Sequence, residues 1–416
     1  MNINKYNSLF NRNNLIILFF IFLILNYLFF NYRILFRENG YILGDWLVNY
    51  NGGFVRRGLL GQLFFNVSKL FNISIIGIIF FFSSLIYISS LILFYKIIKH
   101  KLSNNIVLLL LFLPSTLLFN FFDPLTVGRK EILVFFLFLI YFINLKKNIF
   151  IINLLIYILS IVFLLTHEII FFHLPYFFLL RYLYLIKKNK DELNYKNYYI
   201  EILILISGII LIGIISKISN SYDNVLLCSS LVEVGLTSSV CYGTINELKE
   251  HNVFNFLWLY FSERNYFLNY GLYILLTLLP LAFTYINLIN KNFSKKILLF
   301  CLFCFLFSLI FILRVNDWGR YIHITFLIQI LVFIKFLDLK FEVRKMSINL
   351  NIYLKSFILV MYVASWHMPH CCNPGLGNGY YDIYNRIKVR IYDNSINSTK
   401  YNDIPRIFLR KIFKID

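Results

Sequence analysis

The residues of this sequence that could do chemistry stand in five short polar clusters. DWLVNYNGGFVRRGLLG (45–61) holds Asp45, Arg56 and Arg57, and DPLTVGRKE (123–131) holds Arg129, Lys130 and Glu131. His167 and Glu168 follow Thr166, NDWGR (316–320) carries Asp317 and Arg320, and WHMPHCC (366–372) carries His367, His370, Cys371 and Cys372. Arginine donates to phosphate oxygens through a planar, bidentate fork, and a helix N-terminus adds partial positive charge. Arg56 and Arg57, at the start of an amphipathic stretch, therefore suit a pyrophosphate, with Arg129, Lys130 and Arg320 as further binding residues; snorkelling into lipid headgroups is the alternative use of arginine there. Gly52 and Gly53 permit a tight turn, while Gly58 and Gly61 allow close backbone approach.

Glu168 has almost no loop around it, so it must lie at a membrane boundary or just within. Burial there raises a carboxyl pKa, which makes Glu168 a proton acceptor with His167 as its orienting neighbour; a satisfied polar hairpin is the alternative. Asp45 and Asp317 are the other acid–base candidates. Asp317 and Arg320 are spaced to pair across one helical turn. Glu131 with Arg129 and Lys130 reads either as part of a site or as an ion pair closing a helix end. The zinc pattern HExxH fails because position 171 is Phe, and His173 does not restore it. No metal site is expected at the HxxHCC cluster. In an oxidising compartment, Cys371 or Cys372 is expected to pair with Cys228 or Cys241, tying the tail to a large loop. Cys301 and Cys304, at helical spacing within an apolar run, read as core.

What must position these clusters is a bundle of apolar helices. Of 416 residues, 59% are hydrophobic and 14% charged, with a mean hydropathy of +0.72. That balance excludes a soluble globular class and predicts an all-α polytopic membrane bundle. The formal charge of +20 does not imply nucleic acid, because Lys and Arg sit mainly in short loops, as the positive-inside rule requires. Eleven runs can cross a hydrocarbon core of roughly 30 Å, within a range of 10–12: 14–32, 73–95, 105–122, 131–145, 149–166, 169–186, 199–216, 269–290, 297–313, 320–338 and 350–365. Strict alternation makes every short inner loop net basic and puts the N-terminus in the cytoplasm; the basic tail, 366–416, fits its assigned outer side poorly. Residues 1–365 form one bundle with two large outer loops, 33–72 and 217–268. Each is expected to lay a helix in the membrane interface: Leu59 to Phe71, with Gln62, Asn66 and Lys69 on its polar face and Leu60, Leu63, Phe64, Val67 and Phe71 opposite, and the aromatic stretch Val253 to Phe261. All five polar clusters then fall on one side of the membrane.

The combination of GGFVRRGLLG after the first span, GRKE, HE before a Pro-containing span, DWGR and the terminal HxPHCC resembles the Wzy-type polymerases of bacterial O-antigen and capsule clusters. That resemblance implies an inner-membrane glycosyltransferase with a periplasmic site. It would move a growing glycan from undecaprenyl pyrophosphate to the next lipid-linked repeat unit, alongside a flippase and a chain-length regulator. The family implies basic residues in the largest periplasmic loop, whereas here the strongest basic motif is in the first. An acidic residue soon after the first span, here Asp45, is also what GT-C glycosyltransferases use catalytically, which supplies a second reading with a polyprenyl-phosphate sugar donor. A flippase for lipid-linked oligosaccharide is a third. No cofactor is expected, and the absence of a nucleotide-binding loop suits a lipid-linked donor.

Overall fold

A computed structural model describes residues 12–102, 104–147, 149–188, 194–218, 222–248, 266–288, 293–315, 317–338 and 360–371. The described chain is all-helical and contains no β-strand. Helix is the economical choice for such a sequence, because a segment in lipid must satisfy its own backbone N–H and C=O groups.

The helices are α1 (Arg12–Leu35), α2 (Leu43–Leu47), α3 (Gly58–Phe71), α4 (Ile75–Ile98), α5 (Asn105–Phe112), α6 (Phe119–Phe122), α7 (Ile132–Lys147) and α8 (Phe150–Thr166). They continue with α9 (Ile169–His173), α10 (Pro175–Lys187), α11 (Tyr199–Ile218), α12 (Asn224–Glu233), α13 (Thr244–Glu247), α14 (Tyr266–Leu288), α15 (Phe293–Ile310) and α16 (Trp318–Leu337). Among the described residues, five stretches are long and apolar enough to cross a membrane: Asn13–Leu35, Ile75–Lys101, Ile169–Lys187, Tyr195–Ile218 and Trp318–Leu337.

One expected span is corrected. The run 105–122 is not a continuous helix: α5 ends at Phe112, Leu113 is extended, and a turn leads to the single turn of α6. Pro114 has no N–H to donate and pushes the residue before it out of the helical region. The freed polar groups find partners inside the bundle. Thr116 Oγ1 donates to the Leu110 carbonyl at 2.6 Å, His323 Nδ1 lies 3.0 Å from the Ser115 carbonyl, and Thr277 Oγ1 donates to Ser115 Oγ at 2.8 Å. Most of the run 350–365, and the whole aromatic stretch 253–261, lie outside the described residues.

α16 is the axis of the bundle, with nearly every side chain buried. Between helices in lipid there is little hydrophobic gain, so close packing and interhelical hydrogen bonds carry association. Both are present: Tyr27 of α1 stacks on Tyr87 of α4 with ring centres 3.7 Å apart, and Asn31 donates to Ser83 and Ser84.

The described parts of segments 33–72 and 217–268 pack on each other. Gly52 accepts from Asp223 N at 2.7 Å, Gly40 accepts from Thr244 N at 3.3 Å, and Lys69 pairs with Glu233. Gly61 lets α3 run against the chain before it, since a Cβ there would stand 1.9 Å from the Val48 carbonyl oxygen. The buried face of α3 is rotated from the expected one. Leu60, Gly61, Phe64, Phe65 and Ser68 face the protein, whereas Leu63, Leu70 and Phe71 are exposed. The neighbour that covers α3 is another part of the chain, not a uniform apolar phase, so periodicity alone mislaid the boundary.

Candidate functional site

α1 and α8 end, and α7, α9 and α16 begin, at one end of the bundle. Four of the five clusters interlock there as one ion network, and the fifth docks onto its edge. Arg57 is the hub. It takes Glu168 in a fork, Nε to Oε2 at 2.8 Å and Nη2 to Oε1 at 2.7 Å, and its Nη1 lies 3.7 Å from Asp45 Oδ1. Its backbone is left-handed at φ 68°, a conformation costly for a residue with a Cβ. That turn presents the Arg57 carbonyl to Lys130 Nζ at 3.2 Å. Lys130, fully buried, also lies 3.9 Å from Asp45 and over the Trp46 ring. On the other side Arg320 bridges two acids, Nη1 to Glu131 Oε1 at 2.5 Å and Nη2 to Asp317 Oδ2 at 2.6 Å. The pairing of Asp317 with Arg320 across one turn is as the spacing predicted.

Short rigid elements hold these groups. The single turn α2 buries Asp45 and Trp46 together, and Trp46 Nε1 donates to the Gly128 carbonyl at 2.5 Å, tying segment 33–72 to the GRKE cluster. Gly128 has φ +79°, and a Cβ there would also meet the Asn31 side chain at 2.6 Å. Arg129 donates to the Tyr41 carbonyl at 2.8 Å.

Several expectations are corrected. Glu168 is not a carboxyl with a raised pKa. Burial by itself pushes it up, but Arg57, through charge and hydrogen bonds, with Arg56 and His167, holds it well below the usual carboxylate range. A carboxylate so paired is a weak proton acceptor. His167 does not orient Glu168; its Nε2 lies 3.5 Å from Glu131 Oε1, and its Nδ1 accepts from Ile169 N. Burial and the nearby Arg57 push the His167 ring down, which keeps it neutral. Arg56 and Arg57 are not equivalent in the fold. Arg57 is committed inward, while Arg56 stays at the rim, 3.6 Å from Glu168 Oε1. Glu131 does not close its own helix end with Arg129 and Lys130; each of the three turns to a different partner.

Asp45 has the least satisfied carboxylate. It is 2% exposed and, among the described residues, neither oxygen has a hydrogen-bond partner, although Lys130 and Arg57 stand close by. Burial pushes the Asp45 carboxyl up, but Lys130 and then Arg57 outweigh this and hold it below the usual range, so it is ionised.

The cysteine expectation is also corrected. Cys228 and Cys241 are bonded to each other, stapling α12 to the turn that follows it. Cys371 is disulfide-bonded separately, and Cys372 lies outside the described residues. The segment Trp366 to Cys371 is held by other means. Gly319 N donates to the His370 carbonyl at 3.0 Å, Tyr270 OH donates to the Pro369 carbonyl, and His370 meets Asp123 Oδ2 through N and Nδ1 at 2.8 and 2.7 Å. Asp317, His370 and Cys371 come within 4.8 Å of one another, but a sulfur already in a disulfide offers no thiolate to a metal.

Sequence reasoning passed over a second buried polar group at the opposite end. Arg181 donates to Glu201 at 2.9 Å, Tyr141 donates to the same carboxylate, and Lys335 is buried over Phe142 and Tyr184. Nearby, Lys101 and Lys187 meet Asp338 at 2.9 and 3.5 Å. The signal was available, since an ionisable residue flanked by apolar runs marks a buried partner.

Lys130 gives the network a measurable pH signature. Burial pushes its ammonium down to about 8, opposed mainly by Asp45. In the unfolded chain it titrates near about 10.4. Between those values the unfolded state binds the extra proton, so stability rises with pH across the window. Relative to Lys130→Met, the wild type should gain on the order of 3 kcal/mol from about pH 8 to 10.4, read by thermal unfolding in detergent. A wild-type-minus-variant difference that stays flat over that range would refute the assignment.

The class the fold defines is an all-helical protein with several helices able to span a membrane. Comparison of the chain with protein-family models, curated proteins and solved structures returns no match.

Proposed function

We propose that the chain is an inner-membrane glycosyltransferase whose donor is carried on a polyprenyl phosphate or pyrophosphate. The first reading is an O-antigen or surface-polysaccharide polymerase that uses undecaprenyl pyrophosphate at the periplasmic face. The observation carrying the proposal is the convergence of Asp45, Arg56, Arg57, Arg129, Lys130, Glu131, His167, Glu168, Asp317 and Arg320 at one end of an otherwise apolar bundle. The eleven-span arrangement with the N-terminus inside, and the placement of the ion network at the outer leaflet, belong to this reading. The basic groups Lys101, Lys187 and Lys335 at the other end agree with it.

The chemistry follows from which groups are free. Asp45, ionised and without a hydrogen-bond partner, takes the proton of the acceptor hydroxyl. The hydroxyl oxygen then bonds to the anomeric carbon, and the bond from that carbon to the carrier phosphate breaks, its electron pair leaving on the phosphate oxygen. Fixed cations stabilise that charge without reorganising as the bond breaks. Arg57, Glu168, Glu131 and Arg320 are the frame that holds the cations in place.

A second reading is transfer of a single sugar from a polyprenyl-phosphate donor by a GT-C-type enzyme, and the unpartnered Asp45 after the first span favours it. Surface-glycan gels of a deletion strain separate the readings. Loss of a polymerase leaves one repeat on the lipid core, loss of a single-sugar transferase leaves a ladder of altered mobility, and loss of a flippase leaves none. A ladder normal in both length and mobility excludes all three.

A further inference from the structure

Arg129 is the one member of the network that lacks an acid. Arg57 and Arg56 have Glu168, Lys130 has Asp45, and Arg320 has both Glu131 and Asp317. Arg129 is 8% exposed, donates to the Tyr41 carbonyl, and has no carboxylate within ion-pair distance among the described residues; its Nε has no partner. The acids that act on it, Asp317, Glu131, Asp45 and Glu247, all do so from beyond contact. A buried guanidinium without a counter-ion is expensive, and each such group calls for an explanation.

Arg129 lines a narrow, partly open cleft together with Glu131, Ile132, Arg320, Tyr27 and Tyr87. A second orphan atom lies on the same lining residues. Glu131 is 2% exposed, and while its Oε1 is taken by Arg320 and His167, its Oε2 has no partner. The wall therefore offers one uncompensated cation and one empty carboxylate acceptor, beside the aromatic rings of Tyr27 and Tyr87. A phosphate monoester or diester next to a hydroxyl-bearing carbon fits that pair of needs. The anion neutralises Arg129, and the hydroxyl donates to Glu131 Oε2.

We propose that this cleft is the seat of the carrier-linked phosphate, with Arg129 as its counter-ion and Glu131 holding an adjacent sugar hydroxyl. The inference rests on the glycosyltransferase reading and narrows it, singling out Arg129 among the basic residues that the sequence offers for the phosphate.

The test uses the purified full-length protein in nanodiscs, titrated with undecaprenyl phosphate, with undecaprenol as the neutral control and inorganic phosphate as the lipid-free arm. The wild type should bind the lipid phosphate and not the alcohol. Arg129→Gln should weaken binding about 10- to 100-fold, the worth of a charged hydrogen-bonded contact. Ile132→Trp, which fills the cleft without altering charge, should do the same and decides the matter if Arg129→Gln fails to fold. Lys69→Gln, at an exposed pair, should stay within about threefold. Unchanged binding by Arg129→Gln and Ile132→Trp overturns the site, even if the gels still report a transferase. Binding of inorganic phosphate at Arg129 without binding of the lipid form keeps the anion site and removes the carrier-linked reading. No binding of either probe by the wild type overturns the site outright.

Discussion

Arg57→Ala should lower the stability of the folded chain by about 3–5 kcal/mol, the usual penalty for breaking a buried ion pair from one side. The cost comes less from the lost fork than from what is left behind. Glu168 would remain buried, with only Arg56 near it at 3.6 Å, and Asp45 would lose one of its two nearby cations. Glu168→Gln should be milder, because the amide keeps an acceptor for one arm of the fork. The informative variant is the double one, Arg57→Met with Glu168→Leu. Replacing both partners by apolar groups of similar size removes the stranded charge, so much of the loss should be recovered. Thermal unfolding in one detergent, at one protein concentration, reads all three. If the double variant is as unstable as the sum of the singles, Arg57 and Glu168 are not the coupled pair that the geometry describes.

Asp45→Asn should reduce glycosyl transfer by about 10²- to 10⁴-fold, the range for loss of a positioned general base. The fold should survive, since Asn fills the same space and Asp45 accepts no hydrogen bond within the described protein. One side effect is fixed in sign. Asp45 is the main group holding the Lys130 proton on, so the variant should titrate Lys130 still lower. Transfer measured in membranes, beside the unfolding curve of the same variant, separates chemistry from stability. Full transfer by Asp45→Asn, with Glu168→Gln folded but inactive, would return the acid–base role to Glu168.

The contrast between these two carboxylates shows where the sequence was legible. Both were visible as acids in apolar surroundings, and both were reasonable proton acceptors. Burial alone raises either pKa, so local reasoning ranked Glu168 first. What reversed the order is the partner. Arg57, 111 residues away in sequence, reaches Glu168 with two hydrogen bonds and passes Asp45 at a distance too long to make one. Nothing in the spacing of HE or VRRG encodes that choice. His167 illustrates the same point, since its sequence neighbour was expected to be its partner and Glu131 was.

By itself, the sequence determined the all-helical class, the position of most helices and the gathering of the polar clusters at one end. These follow from periodicity and hydropathy, which are properties of local stretches. The break at Pro114 was not read from it, because the apolar run around the proline made 105–122 look like one span. Only the tertiary structure decided which cation meets which acid, that Cys228 closes on Cys241, and that Arg129 has no ion-pair partner among the described residues. The reason is physical. A charge in a low-dielectric interior is governed by its nearest opposite charge, within about 4 Å, and in a bundle that neighbour comes from another helix.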